Sequence, residues 1–470
     1  MNTPLPAEEI VERALALSRA AHCDVIVDDT DAAWLRWAGD EVTANGASGV
    51  RRVTVISTGA GGGAAVSGTV DDPHDLEGLV RASEAPNDAP AAGAAAAPEP
   101  IRGDGAFESA ELPEAAPARE QLSALVPEFV RAQRRSQGVL HGFAQHRTGT
   151  AWLGTSAGIR SRHRLGTSTL DLYARTPDGS RTAWAGAVAD GFHGMDLPGL
   201  EAATTGRVQQ PLPYRELPPG RYEVLLSPAA VADLMTAVYR AGGAADASEG
   251  RTVFARPGGS TRIGDTLAAL PLNLRSDPRE PGLECRPFLL SHGAVSDAFG
   301  DAVQAGADPA DNGMPLPATY WMKDGVLTSL LASRADAARL GLPVRPAVGN
   351  LVLDGGTDRS LTEMIRTTRR ALVINCLWYI RPTDAGTLTL TGLTRDGVHL
   401  VEDGHITAYV NDFRFAESPV SLLSRAVEAG RTERAPAREA GMTFPRTAMP
   451  PLRIPDFRFT TKAPSVDDGR

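Results

Sequence analysis

The side chains able to do chemistry here are nine histidines, three cysteines and the serine of Gly154-Thr155-Ser156-Ala157-Gly158. Two imidazoles grip one ion from a helix only when they stand about one turn apart. No His-x-x-x-His or His-Glu-x-x-His occurs anywhere in the sequence. His141 and His146 fall in one expected strand, where their odd spacing sends the two rings to opposite faces. A two-residue turn at Asp403-Gly404 would pair Glu402 with His405 and His399 with Ala408. His399 then shares a face with Val401, Ile406 and Val410, which makes it a core or cleft histidine. Cys23, Cys285 and Cys376 offer neither Cys-x-x-Cys nor a disulfide framework, and read as buried thiols.

Gly-x-Ser-x-Gly is the pattern of a serine nucleophile on a sharp strand-to-helix turn. The residues that follow it, 159–173, are rich in Arg, Thr and Ser and carry no helical apolar stripe, so the serine reads as part of a strand-connecting turn. The glycine-rich run 59–64 follows a valine-rich strand, as a dinucleotide loop would. That loop needs a helix directly after it to aim amides at pyrophosphate, whereas Ala65 to Val70 reads as another strand, so a hairpin is expected. From spacing alone, neither a metal-hydrolase helix nor a catalytic triad is assembled.

The elements that would position such groups come from a chain of 470 residues, with 42% hydrophobic and 22% charged residues, 48 Gly and 35 Pro. That exceeds the roughly 250 to 300 residues at which one core stops growing, so two lobes are expected. A net charge of −10 opposes the clustered cations that nucleic-acid binding requires. With no apolar run of about 18 residues and no cationic start, we expect no membrane span and no signal peptide, hence a cytoplasmic protein.

Apolar spacing predicts a helix over 7–21, strands over 23–27, 33–37 and 50–56, and a helix from an Asp72-Pro73 start to about 83. Residues 84–118 are Ala/Pro-rich and read as a loop or linker. A helix over 118–137 and strands over 139–188 complete an N-terminal α/β lobe, residues 1–215, closing near the four prolines of 211–219. In the C-terminal lobe, residues 216–470, three Asp-Gly pairs between strand-like arms (324–325, 396–397, 403–404) each signal a hairpin. Helices are expected over 228–240, 334–340, 361–368 and 419–429. The fold class is therefore α+β: a mixed α/β lobe, then curved, largely antiparallel sheet with helices.

Asp324 to Gly341, a hairpin running into a helix that ends Ala-Arg-Leu-Gly, resembles the TldD/PmbA (TldE) family. The runs 392–398, 401–404 and 411–419 are similar to the C-terminal signature of its TldE-like branch, and Trp152 to Gly158 to a turn of its N-terminal lobe. The resemblance implies a dimer enclosing a chamber in which an unstructured peptide, such as the leader of a modified peptide, is cut. It also implies a TldD-like partner whose His-Glu-x-x-x-His helix and later cysteine hold zinc. The helix starting at Ser227-Pro228 takes the corresponding place here, and to Tyr239 it holds no His or Glu and only one acid, Asp233. Neither Cys285 nor Cys376 matches the family cysteine. No catalytic or metal residue is therefore carried over, and zinc is expected only in the partner.

Asn411, Arg414 and Phe415 are the residues proposed to face substrate or partner, Arg414 because a guanidinium clamps carboxylates and carbonyls. The rival reading puts Arg414 in an edge strand with its charge solvated. Two other functions stay open: a stand-alone metallopeptidase with ligands drawn from distant residues, and a peptide-binding scaffold without hydrolysis, including a homodimer without the partner.

Overall fold

The computed structural model describes residues 5–59, 64–70, 73–85, 99–107, 112, 115–135, 139–293, 307–441 and 443–463. Most of the glycine-rich run, the Asp72 cap and much of the 84–118 linker lie outside them. Residues 22–189 form one antiparallel sheet in the order β3-β2-β1-β4-β5-β6: β1 (His22–Ala38), β2 (Glu41–Thr58), β3 (Ala65–Gly68), β4 (Val139–Thr155), β5 (Arg160–Arg175) and β6 (Thr182–Ala189). Alternation divides its faces. Val25, Val27, Val53, Val55 and Trp152 pack under α1 (Ala7–Leu17) and α2 (Pro73–Glu84), while Trp37, Leu140, Ala144 and Leu172 pack under α3 (Ala118–Arg135) and α4 (Leu197–Gln209). On the opposite face Ile26, Ile56, Ala151 and Leu153 meet Phe288 and Leu290 from the second half of the chain.

The expected strands 23–27 and 33–37 are one strand, because the acidic residues between them each find a partner in place. Asp28 meets His292 Nε2 at 2.7 Å, Asp29 takes a bidentate pair from Arg51, and Asp31 accepts the N–H of Ala118. The helix α4 escaped the sequence reading because its Ala/Thr-rich sequence shows no apolar stripe. Only its Asp196 cap, accepting from the Gly199 N–H, and the following proline announce it.

The remaining strands are β7 (Tyr214–Arg215), β8 (Gly220–Leu226), β9 (Ala255–Arg256), β10 (Ser260–Thr261), β11 (Asn273–Ser276), β12 (Thr319–Lys323), β13 (Val326–Leu327), β14 (Asn350–Asp354), β15 (Arg370–Asp384), β16 (Thr389–Glu402), β17 (His405–Val410), β18 (Phe413–Glu417), β19 (Glu428–Ala429), β20 (Glu433–Arg434), β21 (Arg446–Met449) and β22 (Leu452–Lys462). The helices among them are α5 (Pro228–Arg240), α6 (Ala244–Ser248), α7 (Arg334–Leu340), α8 (Leu361–Arg366) and α9 (Pro419–Arg425). One mixed sheet runs β13-β12-β11-β14-β21-β20. The other runs β15-β8-β22-β18-β16-β17-β7, and because β16 also pairs with β15, the strands β15, β8, β22, β18 and β16 close into a ring. Closure removes the edges those strands would otherwise present.

Four phenylalanines fill the ring. Phe413 stacks on Phe459 at 4.6 Å, and Phe457 lies 5.0 Å from Phe459 and 5.8 Å from Phe415. All four are buried, each burial contributing roughly 1.5–3 kcal/mol and each ring pair about 0.5–1.5 kcal/mol more. Helix α5 shares this core with residues of both sheets.

Two hairpins fall where Asp-Gly placed them, at 324–325 between β12 and β13 and at 403–404 between β16 and β17. The third differs. Asp396-Gly397 lies inside β16, where Ile374 pairs with Val398 and Cys376 with Arg395, leaving two residues opposite Asn375. With φ of +51° and +116° the pair forms a β-bulge, because an Asp-Gly in left-handed geometry suits a bulge as well as a turn. A second irregularity puts His399 opposite Tyr409 rather than Ala408, although Glu402 pairs with His405 as expected.

Candidate functional site

Ser227 caps α5 by accepting the N–H of Ala230, and Pro228 opens its first turn. Packing from both sheets buries ten of its residues, Asp233 included. Asp233 does not point into open space. Its carboxylate accepts the backbone N–H groups of Arg438 (3.1 Å), Glu439 (2.9 Å) and Ala440 (3.2 Å), pinning a distant loop onto the helix. Burial pushes its carboxyl up to about 7 against the pull of those amides.

The pinned loop sends Arg438 inward. Its Nη1 donates to Cys376 Sγ at 2.9 Å and its Nη2 lies 2.6 Å from Oδ2 of Asp396, the first residue of the bulge. The rings of Trp378, Tyr173 and Trp184 stand 4.7, 5.4 and 5.5 Å from the guanidinium carbon, distances at which cation–π attraction operates. Asn375, opposite the bulge, donates to the Trp184 carbonyl at 2.9 Å and accepts from Arg207 at 2.8 Å. Trp184 donates its indole N–H to Asp171. One polar cluster therefore ties β5 and β6 to the bulged region of β15 and β16.

The cluster does not suit a zinc ion. A metal needs thiolate and carboxylate lone pairs directed at one point. Burial pushes the Cys376 thiol up, so it stays protonated and donates to the Arg395 carbonyl. Asp233 is committed to amides, and Arg438 brings a positive charge into the space between the acids. Among the described residues, no three His, Cys, Asp or Glu side chains converge as metal ligands. His399 is buried beside Tyr409, ring to ring 4.9 Å, and burial, aided by the charge of Arg207, pushes its imidazole down to about 4. It is neutral at pH 7.

Of the residues singled out in the sequence, Phe415 is buried inside the ring, so it cannot face a partner; β18 lies between β22 and β16 and is no edge strand. Asn411 accepts the N–H of Leu217, holding the strand connection rather than a ligand, and Arg414 is half-buried. His141 is half-buried and His146 buried on the opposite face of β4. The sequence reading missed Trp378 and Tyr379, which are 38% and 54% exposed beside the Arg438 cluster. Tyr379 holds φ +55°, its N–H bound to Glu439 Oε2 at 2.9 Å and its ring under Arg381 at 4.5 Å. Two adjacent aromatics in a strand are the signal, since alternation buries only one of them.

A helix-backed antiparallel sheet followed by a closed five-strand ring and a mixed sheet, with one buried helix joining the last two, defines an α+β architecture found in several solved proteins. The chain is similar to TldE from Thermococcus kodakarensis (TM-score 0.74, 14% identity, covering 96% of this chain and 99% of that one). It is similar also to a candidate modulator of DNA gyrase from Thermotoga maritima (0.72, 16%, 97% and 100%) and to another from Bacteroides thetaiotaomicron (0.70, 12%, 97% and 98%). No curated protein matches the sequence. Residues 219–461 match the PmbA/TldA metallopeptidase C-terminal domain, and the chain belongs to the TldD/PmbA family.

Proposed function

We propose that this chain is a TldE-like subunit of a cytoplasmic zinc peptidase, one that shapes the chamber and holds an unstructured peptide while a TldD-like subunit supplies the metal. The observation that carries the reading is the state of α5. Where the family resemblance would put the zinc helix, this chain has no His or Glu, and its one acid is bound to the backbone of residues 438–440. The exposed Trp378 and Tyr379 beside that place give an extended peptide an apolar surface, and main-chain pairing with a sheet edge would add affinity without sequence preference. The zinc and its water-activating chemistry belong to the partner, whose His-Glu-x-x-x-His helix completes the enzyme. All three cysteines are buried and none is joined in a disulfide, in keeping with a reducing compartment.

The test is to purify the chain alone and with a His-Glu-x-x-x-His homologue, then measure bound zinc and cleavage of an unstructured peptide. Zinc and cleavage are expected only in the pair. Stoichiometric zinc and hydrolysis by this chain alone would overturn the assignment. A complex that binds peptide without cutting it would leave a scaffold.

A further inference from the structure

Ser156 occupies the turn between β4 and β5, as the strand-connecting reading of Gly154 to Gly158 requires, but its hydroxyl faces a histidine with a carboxylate behind it. Oγ lies 3.0 Å from Nδ1 of His22 and accepts the N–H of Cys23 at 3.0 Å. On the far side of the ring, Nε2 of His22 stands 2.8 Å from Oδ1 of Asp24, an ion-pair distance without the linearity of a hydrogen bond. Asp24 is 1% exposed, and Asn312 holds its other oxygen at 2.9 Å. The carboxylate favours the tautomer with hydrogen on Nε2, which leaves the Nδ1 lone pair facing the serine hydroxyl.

The turn is fixed from both sides. Ser156 N–H donates to the Cys23 carbonyl at 2.8 Å, while Gly103 N–H donates to Ala157 O and Gly105 N–H to Gly158 O. Gly158, at φ +93°, packs against the Gly103 backbone, where a Cβ would meet a carbonyl oxygen at 2.6 Å. Ser156 itself is exposed. The N–H of Ala157, next in the chain, makes no hydrogen bond to another described group, and the amide after the nucleophile is where acyl-transfer enzymes place an oxyanion donor.

We infer that Ser156, His22 and Asp24 form an acyl-transfer site acting on carboxylic esters that approach from solvent, independent of the peptidase assignment. Oγ attacks the ester carbonyl carbon as its proton passes to His22 Nδ1. The new Oγ–C bond is kept while the C–O bond to the alkoxide breaks, and the alkoxide takes that proton and leaves as alcohol. Water, deprotonated by the same nitrogen, then cleaves the acyl-serine, releasing the carboxylic acid and restoring the hydroxyl. Ser156 and His22 are the catalytic residues and Asp24 is a positioning residue.

The experiment treats the full chain with a fluorophosphonate and maps the adduct by mass spectrometry, with hydrolysis of p-nitrophenyl acetate followed in parallel against an equal concentration of free imidazole. One adduct on Ser156 is expected, lost in S156A, with hydrolysis at least tenfold above imidazole and unchanged by chelator. D24N should lower the rate of labelling tenfold or more while its circular dichroism melt matches that of the parent. Absence of a Ser156 adduct on the folded parent, or a chelator-resistant hydrolysis rate undiminished in S156A, overturns the site; a stability loss in S156A without labelling of the parent makes it structural only and overturns it equally. Because this readout needs no zinc and no partner, its failure leaves the peptidase-subunit reading intact, and the reverse holds too.

Discussion

Arg438 donates to the sulfur of Cys376 at 2.9 Å, and the same guanidinium meets Asp396 at 2.6 Å, so one buried cation serves a thiol and an acid that lie twenty residues apart on facing strands. Both Arg438 and Asp396 are under 10% exposed at their side chains. A buried pair adds little net stability when whole, but removing one member strands the other charge at roughly 3–5 kcal/mol. Arg438→Met should therefore lower unfolding stability by about that amount in urea at pH 7. An unchanged midpoint would mean the cluster is not holding the bulge to the loop.

Asp412 gives the fold a pH dependence. Burial raises its carboxyl to about 7, with the charge of Asp396 adding and the hydroxyl of Thr394, at 3.1 Å, opposing. A folded pKa above the unfolded value of 3.8 means that the folded state holds the proton more tightly. The stability it contributes is present below about pH 4 and is lost as pH rises toward 7; Asp233 acts in the same sense and window. Asp412→Asn retains an acceptor for Thr394 and removes the titration. Relative to the parent, the variant should gain about 2 kcal/mol between pH 5 and pH 8 in paired urea titrations, a difference in which other carboxylates cancel.

The bulge itself is testable at Gly397. Its φ of +116° lies where a side chain is strained, and a Cβ would stand 3.0 Å from His399 Cε1. Gly397→Ala should cost about 1–3 kcal/mol, measured by thermal unfolding, and should loosen the Asn375 hydrogen bond to the Asp396 carbonyl, which is 3.2 Å in the parent. A hairpin at this point, the arrangement the dipeptide suggests in the sequence, would have tolerated the same change poorly too, but without shifting Asn375.

The local grammar of the chain was legible where one residue decides the outcome. The helices expected from 228, 334 and 361 start there, behind Ser227, Ser333 and Ser360, and two of the three hairpins expected at Asp-Gly pairs form. The poverty of α5 in metal ligands was legible too. What could not be read were contacts whose partners lie far apart in sequence: the β15–β16 pairing that closes the ring, the amides of 438–440 on Asp233, and the approach of Ser156 to His22. Phe415 shows the same limit, since period-2 alternation gives it a face but cannot say that β22 and β16 flank it on both sides.

Tyr379 is a residue whose cost is visible and whose return within this chain is small. A non-glycine residue in the left-handed region costs on the order of 1–2 kcal/mol, and an exposed ring stacked on Arg381 recovers about 0.5–1 kcal/mol. Tyr379 lies in the irregularity of β15 between Trp378 and Arg381, and an exposed aromatic kept there fits the peptide-holding surface proposed above. Tyr379→Gly should therefore leave thermal stability unchanged or raise it by about 1 kcal/mol while weakening capture of an unstructured peptide by the assembled pair several-fold, read by fluorescence anisotropy. Equal peptide affinity in the variant and parent would remove Tyr379 from the peptide-holding surface and leave its backbone geometry to the Glu439 contact alone.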